Sequence, residues 1–168
     1  PMRRDSGPAI AAGAAFGIKR DGDPLMFALA ADHVVADNIA FVKACSEAAR
    51  AAREGRIVAF GVRPDRPATE YGYISPGEKL GADVYAVARF VEKPDEAKAK
   101  KYIAQGYLWN SGNFVFAAKD LLEEYAAHDA STVAAAKRAI DNAGTDIGFV
   151  TIDGEAFGQV HATSIDYA

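Results

Sequence analysis

Cysteine is nearly absent from this sequence, because Cys45 is the only one among 168 residues. No disulfide can form within the chain, which favours a reducing compartment. Neither sign of charge dominates: the net charge is −4 at neutral pH, and this disfavours a surface that binds nucleic acid or anionic membranes. No apolar run approaches the roughly 18 residues of a membrane-spanning helix. These absences predict a cytoplasmic protein with no nucleic-acid or membrane partner.

The usual opening of a nucleotide-binding α/β domain, a strand followed by a glycine-rich loop, is absent too. A turn signal at 5–8 leads instead into an alanine-rich helix at about 9–16. Strands are predicted at about 25–30, 57–61, 73–75 and 84–91, and later helices at 119–125 and 132–142. Half of the residues are apolar, which suffices for one domain with its own core. The alternation of strands and helices predicts the α/β class, as a three-layer α/β/α sandwich with a mainly parallel mixed sheet.

The helix after the first strand is predicted to begin at Asp37 or Asn38 and to continue to residue 54. Its apolar side chains recur at helical spacing, which predicts a stripe buried against the sheet. The members of that stripe are Ile39, Val42, Cys45 and Ala49. Cys45 is therefore expected to be a core residue and not a catalytic thiol.

The stretch 89–116 predicts a strand, a helix capped by Asp95 and a second strand. Glu92 and Lys93 follow the first strand, and the alternation of side chains along a strand predicts that they point to opposite faces without a mutual salt bridge. Asn110 is expected in a Ser-Gly turn before the second strand. One strand-helix-strand unit would thus bring Glu92, Lys93 and Asn110 to the same edge of the sheet, where ligands collect in open α/β folds.

Each candidate residue also has a purely structural interpretation. Glu92 and Lys93 fit a solvated pair at a strand end, and Asn110 fits an Asx turn. Asp32, which follows the first strand, fits an acid that begins a turn, although its carboxylate is also a hard oxygen donor of the kind that magnesium prefers. Gly72 fits an ordinary turn glycine, although it would also let backbone approach a ligand closely.

Several motifs stand in a fixed order along the chain. They are RRDSGPAI at 3–10, ADHVV at 31–35, TEYGYI at 69–74, FVEKP at 90–94, YLWNSGNF at 107–114 and SIDYA at 164–168. Together they span the whole chain, and it resembles the sugar-1-phosphate nucleotidylyltransferases, most closely the mannose-1-phosphate guanylyltransferases. Two departures stand out: Asp5-Ser6-Gly7 replaces the family's usual Asn-Thr-Ala, and Asn113 stands where relatives commonly have an apolar residue such as Met.

The resemblance implies the Rossmann-like fold of the nucleotide-diphospho-sugar transferases. It also implies that residues 1–168 are a single partial nucleotidyltransferase domain, incomplete at both ends and internal to a larger enzyme. The glycine-rich nucleotide loop is then expected upstream of residue 1, and the chain alone is expected to be inactive. The form RRDSGPAI is similar to that of the bifunctional type, which carries a mannose-6-phosphate isomerase domain further along.

The resemblance assigns expected roles to particular residues. Asp32 and Lys93 are the expected catalytic residues, Lys93 by meeting the sugar phosphate. Asp32 and Asp166 are expected to bind Mg²⁺. The sugar is expected to contact Gly72, Glu92 and Asn110 as well as Lys93. The nucleotide is expected to contact Arg4, Ser6 and Gly7.

The reaction implied for the intact protein joins GTP and mannose 1-phosphate into GDP-mannose and pyrophosphate, a step towards polysaccharides. One alternative is a glucose-1-phosphate nucleotidylyltransferase, whose sugar and base differ by few contacts. Another is a non-catalytic module that binds a sugar nucleotide. A glycine-rich segment encoded upstream would favour an enzyme, and a start codon at Met2 would favour the module. A homo-oligomer is compatible with each of these.

Overall fold

The computed structural model describes residues 2–167, which fall into two compact units. The first unit contains the chain up to Met26 together with everything from Phe116 onward, and the second is Phe27–Val115. The helices are α1 (Ser6–Asp21), α2 (Asn38–Ala52), α3 (Glu96–Ala104), α4 (Ala118–Asp141) and α5 (Gly154–Phe157). The strands are β1 (Leu25–Ala28), β2 (Val58–Val62), β3 (Tyr73–Lys79), β4 (Tyr85–Val91), β5 (Leu108–Ala117), β6 (Gly144–Asp146) and β7 (Phe149–Thr151). This mixture of helices and strands confirms the predicted α/β class.

In the first unit, α1 packs against α4 through a face of very small side chains. Ala11 and Ala14 of α1 are fully buried, and small residues let two helix backbones approach closely. At the far end of the pair, Lys19 Nζ donates hydrogen bonds to the carbonyl oxygens of Ile140 and Asp141, at 3.0 and 3.2 Å. These carbonyls lie in the last turn of α4, where a positive charge also favours the helix dipole.

Helix α4 is interrupted at Asp129, whose φ of −144° and ψ of 78° are not helical. The Asp129 carboxylate accepts hydrogen bonds from the Thr132 amide at 3.0 Å and from the Ser131 hydroxyl at 2.7 Å. It therefore caps the second half of α4, which confirms the sequence prediction of two helices with a break between them. Its other oxygen lies 2.8 Å from His161 Nδ1, so the same side chain ties residue 161 to α4.

We expect Asp129→Ala to lower the free energy of unfolding by about 1–2 kcal/mol, because a lost N-cap alone accounts for that much. Urea unfolding of the variant beside the parent would measure it. Glu123→Ala is the matched control, since Glu123 is an exposed acid on the same helix. Equal destabilisation by both substitutions would show that the cap at Asp129 contributes nothing.

The stabilising effect of Asp129 should also depend on pH. Hydrogen bonds from Thr132 and Ser131 lower the pKa of this carboxyl below its ordinary value of 3.8. The unfolded chain therefore takes up the proton first, so the contribution is complete well above pH 3.8 and declines as the pH falls below it. The difference in stability between the parent and Asp129→Ala should shrink over that acidic range.

The second unit is built on a sheet in which β3 lies between β4 and β5. The order of the five-stranded sheet is β1-β5-β3-β4, with β2 also paired to β5. The pairings β2–β5, β3–β4 and β3–β5 are all antiparallel. The prediction of a mainly parallel sheet is therefore not confirmed. The helical connection through α3 does leave β4 and β5 running in the same direction, but β3 is inserted between them.

The predicted buried stripe of α2 is wrong. Ile39 and Val42 are 86% and 62% exposed, and Cys45 is only half-buried. The side chains that α2 buries are instead Glu47, Ala48, Ala51 and Ala52. Both sets have helical spacing, so periodicity alone could not decide between a face of large and a face of mostly small residues. Half-burial raises the pKa of the Cys45 thiol, which disfavours a reactive thiolate.

Candidate active site

Three of the residues expected to contact a sugar lie together in the second unit. Gly72 directly precedes β3, Glu92 directly follows β4, and Asn110 lies near the start of β5. The Asn110 amide donates to the Gly72 carbonyl at 2.8 Å. A Cβ atom added to Gly72 would stand 2.5 Å from Glu92 Oε2 and 3.4 Å from Asn110 Cβ. Strands β4 and β5, the two antiparallel neighbours of β3, thus bring Glu92 and Asn110 to either side of Gly72.

Glu92 and Lys93 do not point to opposite faces, so that prediction is wrong. Lys93 Nζ lies 3.3 Å from Glu92 Oε1. Strand β4 ends at Val91, and Lys93 has a φ of 44°, a left-handed conformation in which the alternation of a strand no longer applies. The Lys93 amide is held by the Tyr71 carbonyl at 3.3 Å.

The ion pair between Glu92 and Lys93 is asymmetric. The side chain of Glu92 is 13% exposed, whereas that of Lys93 is 60% exposed. One carboxylate oxygen, Oε1, faces the lysine, and the other, Oε2, faces Gly72. A nearly buried carboxylate therefore directs a solvent-accessible ammonium group and keeps a second oxygen towards the glycine.

The loop before Gly72 is fixed by an aromatic and charged cluster that the sequence reasoning missed. The Arg66 guanidinium lies 5.2 Å from the ring centre of Trp109 and 5.7 Å from that of Tyr71. The two rings meet edge to face at 5.1 Å. Arg66 also pairs with Glu70 at 2.7 Å, and hydrogen bonds from the backbone amide of Glu70 and from Arg66 lower the pKa of that carboxyl. Cation–π contacts of this kind stabilise a loop that has no regular structure.

Asn110 lies inside strand β5 and not in a turn before it, which corrects the predicted position. The Gly112 amide does donate to Asn110 Oδ1, at 3.2 Å, so the local bond of an Asx turn is present. The pairing of β2 with β5 is irregular at this point. Ala59 pairs with Phe114 and Gly61 pairs with Asn110, so β5 has more residues than β2 between these two pairs. The extra residues of β5 form a bulge, a device that often redirects side chains near sites.

We expect Gly72→Ala to weaken the use of a sugar phosphate by the intact protein about tenfold, which corresponds to about 1.4 kcal/mol. The reason is steric, since the new methyl group would stand 2.5 Å from Glu92 Oε2 and 2.8 Å from the Phe90 ring. Steady-state KM for the sugar phosphate would measure it. Gly13→Ala is the matched control, because a Cβ there meets nothing within 4 Å. Unchanged kinetics in Gly72→Ala would show that Glu92 can move without consequence.

Asp32 lies in an exposed turn directly after β1, in the second unit. Residues 29–37 contain no helix or strand, and every side chain from 31 to 40 is exposed. The buried amide of Asn113 meets this segment: its Oδ1 accepts from the Ala30 amide at 2.8 Å, and its Nδ2 lies 3.3 Å from His33 Nδ1. Asp32 is thus presented to solvent between two residues that bond to Asn113.

In the first unit, the residues expected to contact the nucleotide meet the segment that carries Asp166. The Ser6 hydroxyl lies 3.3 Å from the Ser164 hydroxyl and accepts from the Ile165 amide at 3.0 Å. Ser164 in turn donates to Asp166 Oδ2 at 2.8 Å. The structure therefore links Ser6 at the start of α1 to the carboxylate of Asp166 through one intervening side chain.

Arg4 and Gly7 belong to the same junction. The Arg4 guanidinium donates to the Gly158 carbonyl, and the Gly7 amide donates to the Thr163 carbonyl at 3.0 Å. A Cβ on Gly7 would stand 2.7 Å from the hydroxyl of Tyr125, which is buried. Burial raises the pKa of Tyr125, so this hydroxyl keeps its proton. Residue 7 must therefore be very small for the segment to pack as it does.

The donor chemistry of the two candidate metal ligands fits magnesium. Carboxylate oxygens are hard donors, and Mg²⁺ usually combines one or two of them with waters and substrate phosphate oxygens. Among residues 2–167, no group of three or more His, Cys, Asp or Glu side chains is arranged to hold an ion. Asp32 and Asp166 each offer a carboxylate of the kind that suits an ion completed by waters and substrate oxygens.

The sequence reasoning missed Arg66, Asn113 and Ser164 as residues that hold the candidate site in place. A signal was present for Asn113, because a polar side chain directly before the apolar run Phe114–Val115–Phe116 needs a partner when the strand is buried. Arg66 and Ser164 carried no comparable signal, since each also contacts a residue that is distant in sequence, Trp109 in the case of Arg66 and Ser6 in the case of Ser164.

Comparison with known proteins identifies similar sequences. The profile of the family described as Nucleotidyl transferase matches residues 1–155. The xanthan biosynthesis protein XanB of Xanthomonas campestris pv. campestris (strain B100) is 44% identical over 169 residues, which cover 100% of this chain and 36% of that protein. The mannose-1-phosphate guanylyltransferase RfbM of Salmonella typhimurium is 43% identical over 171 residues, covering 100% and 36%. The chain thus spans about a third of the length of these relatives.

A solved structure gives the same comparison in three dimensions. A protein described as mannose-1-phosphate geranyltransferase from Thermus thermophilus matches with a TM-score of 0.85 and 38% identity. The match covers 99% of this chain and 47% of that one. In addition, none of the helices within residues 2–167 is both long and apolar enough to span a bilayer.

Proposed function

The chain belongs to the nucleotidyl transferase family, and from that premise we propose that its intact protein transfers a guanylyl group from GTP to mannose 1-phosphate. The products are GDP-mannose and pyrophosphate. The observation that carries the sugar assignment is the convergence of Gly72, Glu92 and Asn110 at one edge of the sheet, beside the accessible ammonium group of Lys93. The mannose-1-phosphate guanylyltransferase named above, 43% identical over the whole chain, supports the choice of mannose and GTP.

The proposed reaction is an in-line displacement at phosphorus. A phosphate oxygen of mannose 1-phosphate forms a bond to the α-phosphorus of GTP, while the bond from that phosphorus to the bridging oxygen breaks and pyrophosphate leaves. No covalent intermediate with the protein is needed, so the residues act by positioning the reactants and by neutralising charge. Lys93 is proposed to meet the sugar phosphate, and its ion pair with Glu92 directs it there.

Glu92 and Asn110 are proposed to orient the sugar. Glu92 keeps Oε2 towards Gly72, where it can accept hydrogen bonds from hydroxyl groups, and the side-chain amide of Asn110 can both donate and accept. A glycine at position 72 leaves room for the Glu92 carboxylate, which stands where a side chain on residue 72 would begin. Arg4, Ser6 and Gly7 are proposed to contact the nucleotide.

The nucleotidyl transferase family generally uses a divalent metal ion, and we propose that here the ion is Mg²⁺ with Asp32 and Asp166 as its ligands. When bound, the ion supplies positive charge to the phosphate oxygens on which negative charge develops. Asp32 offers its carboxylate from an exposed turn, and Asp166 offers one from a segment that Ser6 and Ser164 hold.

The test is a product assay on the intact protein. Purified protein is given each pairing of mannose 1-phosphate or glucose 1-phosphate with GTP, ATP or dTTP, and pyrophosphate and sugar nucleotide are measured. GDP-mannose should form fastest, and light scattering on the same sample tests for a homo-oligomer. Faster turnover of glucose 1-phosphate would refute the mannose assignment. Tight binding of GDP-mannose without turnover under any pairing would indicate a binding module.

A further inference from the structure

Asn113 is a buried amide in strand β5, and it needs hydrogen-bond partners. Its side chain is 8% exposed, and Val115 and Phe116, which follow in the strand, are at most 1% exposed. Taking an amide out of water is unfavourable unless hydrogen bonds replace those made to water. A residue whose only task was to fill this space would be apolar, so the amide calls for an explanation.

The partners of Asn113 fix the orientation of its amide. A backbone N–H can only donate, so Oδ1 must face the Ala30 amide, 2.8 Å away. The Nδ2 group then faces His33 Nδ1 at 3.3 Å. Because Nδ2 can only donate, Nδ1 of His33 is the acceptor in this contact.

The two bonds hold the chain on either side of Asp32. Residues 30 and 33 flank a turn formed by 31 and 32, and no helix or strand fixes this segment. Packing cannot hold it either, because all side chains from 31 to 40 are exposed. The direction in which the Asp32 carboxylate points therefore depends on the hydrogen bonds from Asn113.

We propose that Asn113 is a positioning residue for Asp32. This proposal rests on the proposed function, in which Asp32 is a magnesium ligand. Asn113 lies within the β5 bulge, three residues after Asn110, so one strand both carries a proposed sugar contact and holds the proposed metal ligand. Partners that orient a metal ligand commonly change metal affinity or activity by 10–100-fold when they are replaced.

The experiment compares Asn113→Leu with Asn113→Asp in the full-length protein. The leucine has the same number of side-chain heavy atoms, branched at the same carbon, and removes both bonds, whereas the aspartate keeps the acceptor for the Ala30 amide and loses the donor for His33. We expect Asn113→Leu to weaken Mn²⁺ binding, measured by calorimetry without substrates, about tenfold. Hydrogen exchange at the Ala30 amide should quicken in Asn113→Leu and not in Asn113→Asp. The kcat should fall about tenfold in Asn113→Leu while KM for mannose 1-phosphate stays unchanged.

Several results would overturn the proposal. Asn113→Leu could show faster exchange at Ala30 with parental metal affinity and kcat, which would make Asn113 a residue of stability alone. An absence of Mn²⁺ binding in the parent protein would also refute it. If Asn113→Leu does not fold, His33→Ala takes its place, because His33 is exposed and its removal breaks one of the two bonds. It should weaken Mn²⁺ binding about threefold, and parental affinity would again count against the proposal. A parent protein that makes no GDP-mannose would refute the proposed function, while the metal affinities would still decide the role of Asn113.

Discussion

Asp32→Asn is expected to lower kcat of the intact protein about 100-fold and to leave KM for mannose 1-phosphate nearly unchanged. The substitution removes one negative charge from the proposed magnesium ligand, and well-placed electrostatic groups contribute effects of this size. The sugar contacts lie on other segments, around Gly72, Glu92 and Asn110, so the affinity for the sugar should persist. The measurement is steady-state kinetics over a range of Mg²⁺ concentrations, in which the variant should need more metal.

A loss of folding is not expected to explain this result, because Asp32 is exposed and lies in a turn. Asp37→Asn is the matched control: Asp37 is five residues further on, is also exposed, and caps α2 by accepting from the Ala40 amide at 2.9 Å. Asparagine caps a helix as well as aspartate does, so this variant should be fully active. Parental turnover and parental Mg²⁺ dependence in Asp32→Asn would show that Asp32 is a turn residue only.

Glu92→Gln is expected to reduce kcat/KM for mannose 1-phosphate by roughly 10- to 150-fold, while GTP binds as before. A hydrogen bond to a charged group contributes roughly 1.5–3 kcal/mol, and each 1.4 kcal/mol is a factor of ten. Glutamine keeps the shape of the side chain, so the contact with Gly72 survives and only the charge is lost. The ion pair with Lys93 is lost as well, so the ammonium group is held less firmly towards the sugar phosphate, which also lowers kcat/KM.

Asn110→Ala provides the comparison, because it removes a neutral group from the same edge. A neutral hydrogen bond contributes about 1 kcal/mol, so this variant should be less damaged than Glu92→Gln. Loss of the bond from the Gly112 amide to Asn110 Oδ1 could disturb the bulge, and a thermal-shift measurement controls for that. GTP affinity is measured by calorimetry. If both variants lose GTP affinity and keep KM for the sugar phosphate, the sugar has been assigned to the wrong residues.

Local chemistry explains which parts of the fold could be predicted from sequence. Asp95 does cap α3, accepting from the Lys98 amide at 2.8 Å, and Gly106 adopts a φ of 80° just after that helix. Of the two residues predicted for the start of α2, Asp37 is the one that caps it. In each case a side chain acts on backbone a few residues away, so the information lies within a short window of the sequence.

The failed predictions concern contacts between distant segments. The large residues Ile39 and Val42 suggested a buried face of α2, but α2 buries alanines and Glu47 instead, and Glu47 accepts from the Asp83 amide at 3.2 Å. The relative direction of Glu92 and Lys93 followed from assuming a strand that continues past its actual end. Neither error could be corrected from propensity, since tertiary contacts decide which face is covered and where a strand stops.

The sequence predicted residues of the candidate site better than it predicted the strands and hydrogen bonds that hold those residues in place. Glu92, Lys93 and Asn110 were expected at one edge of the sheet, and the structure places Glu92 and Asn110 on either side of Gly72; their roles in a site stay predictions. What the sequence could not supply was the antiparallel strand that makes them neighbours, because β3 enters between β4 and β5 from outside the strand-helix-strand unit. The sequence signal at Asn113 indicated that its amide needs a partner but could not identify the Asp32 turn, since the partners are separated by 80 residues.

The position of β3 between β4 and β5 also determines the order in which its two strand pairings can form during translation. The β3–β4 hairpin closes a short loop and can form once Val91 has left the ribosome, because local contacts require little loop-closure entropy. The other side of β3 at residues 73 and 74 pairs with Leu108 and Trp109 of β5, which emerge later. Until then the nascent chain carries an unpaired strand edge, the kind of surface on which chains associate with one another. A translational pause between residues 91 and 108 would prolong that interval, and synonymous codons in this stretch should therefore influence the yield of folded protein.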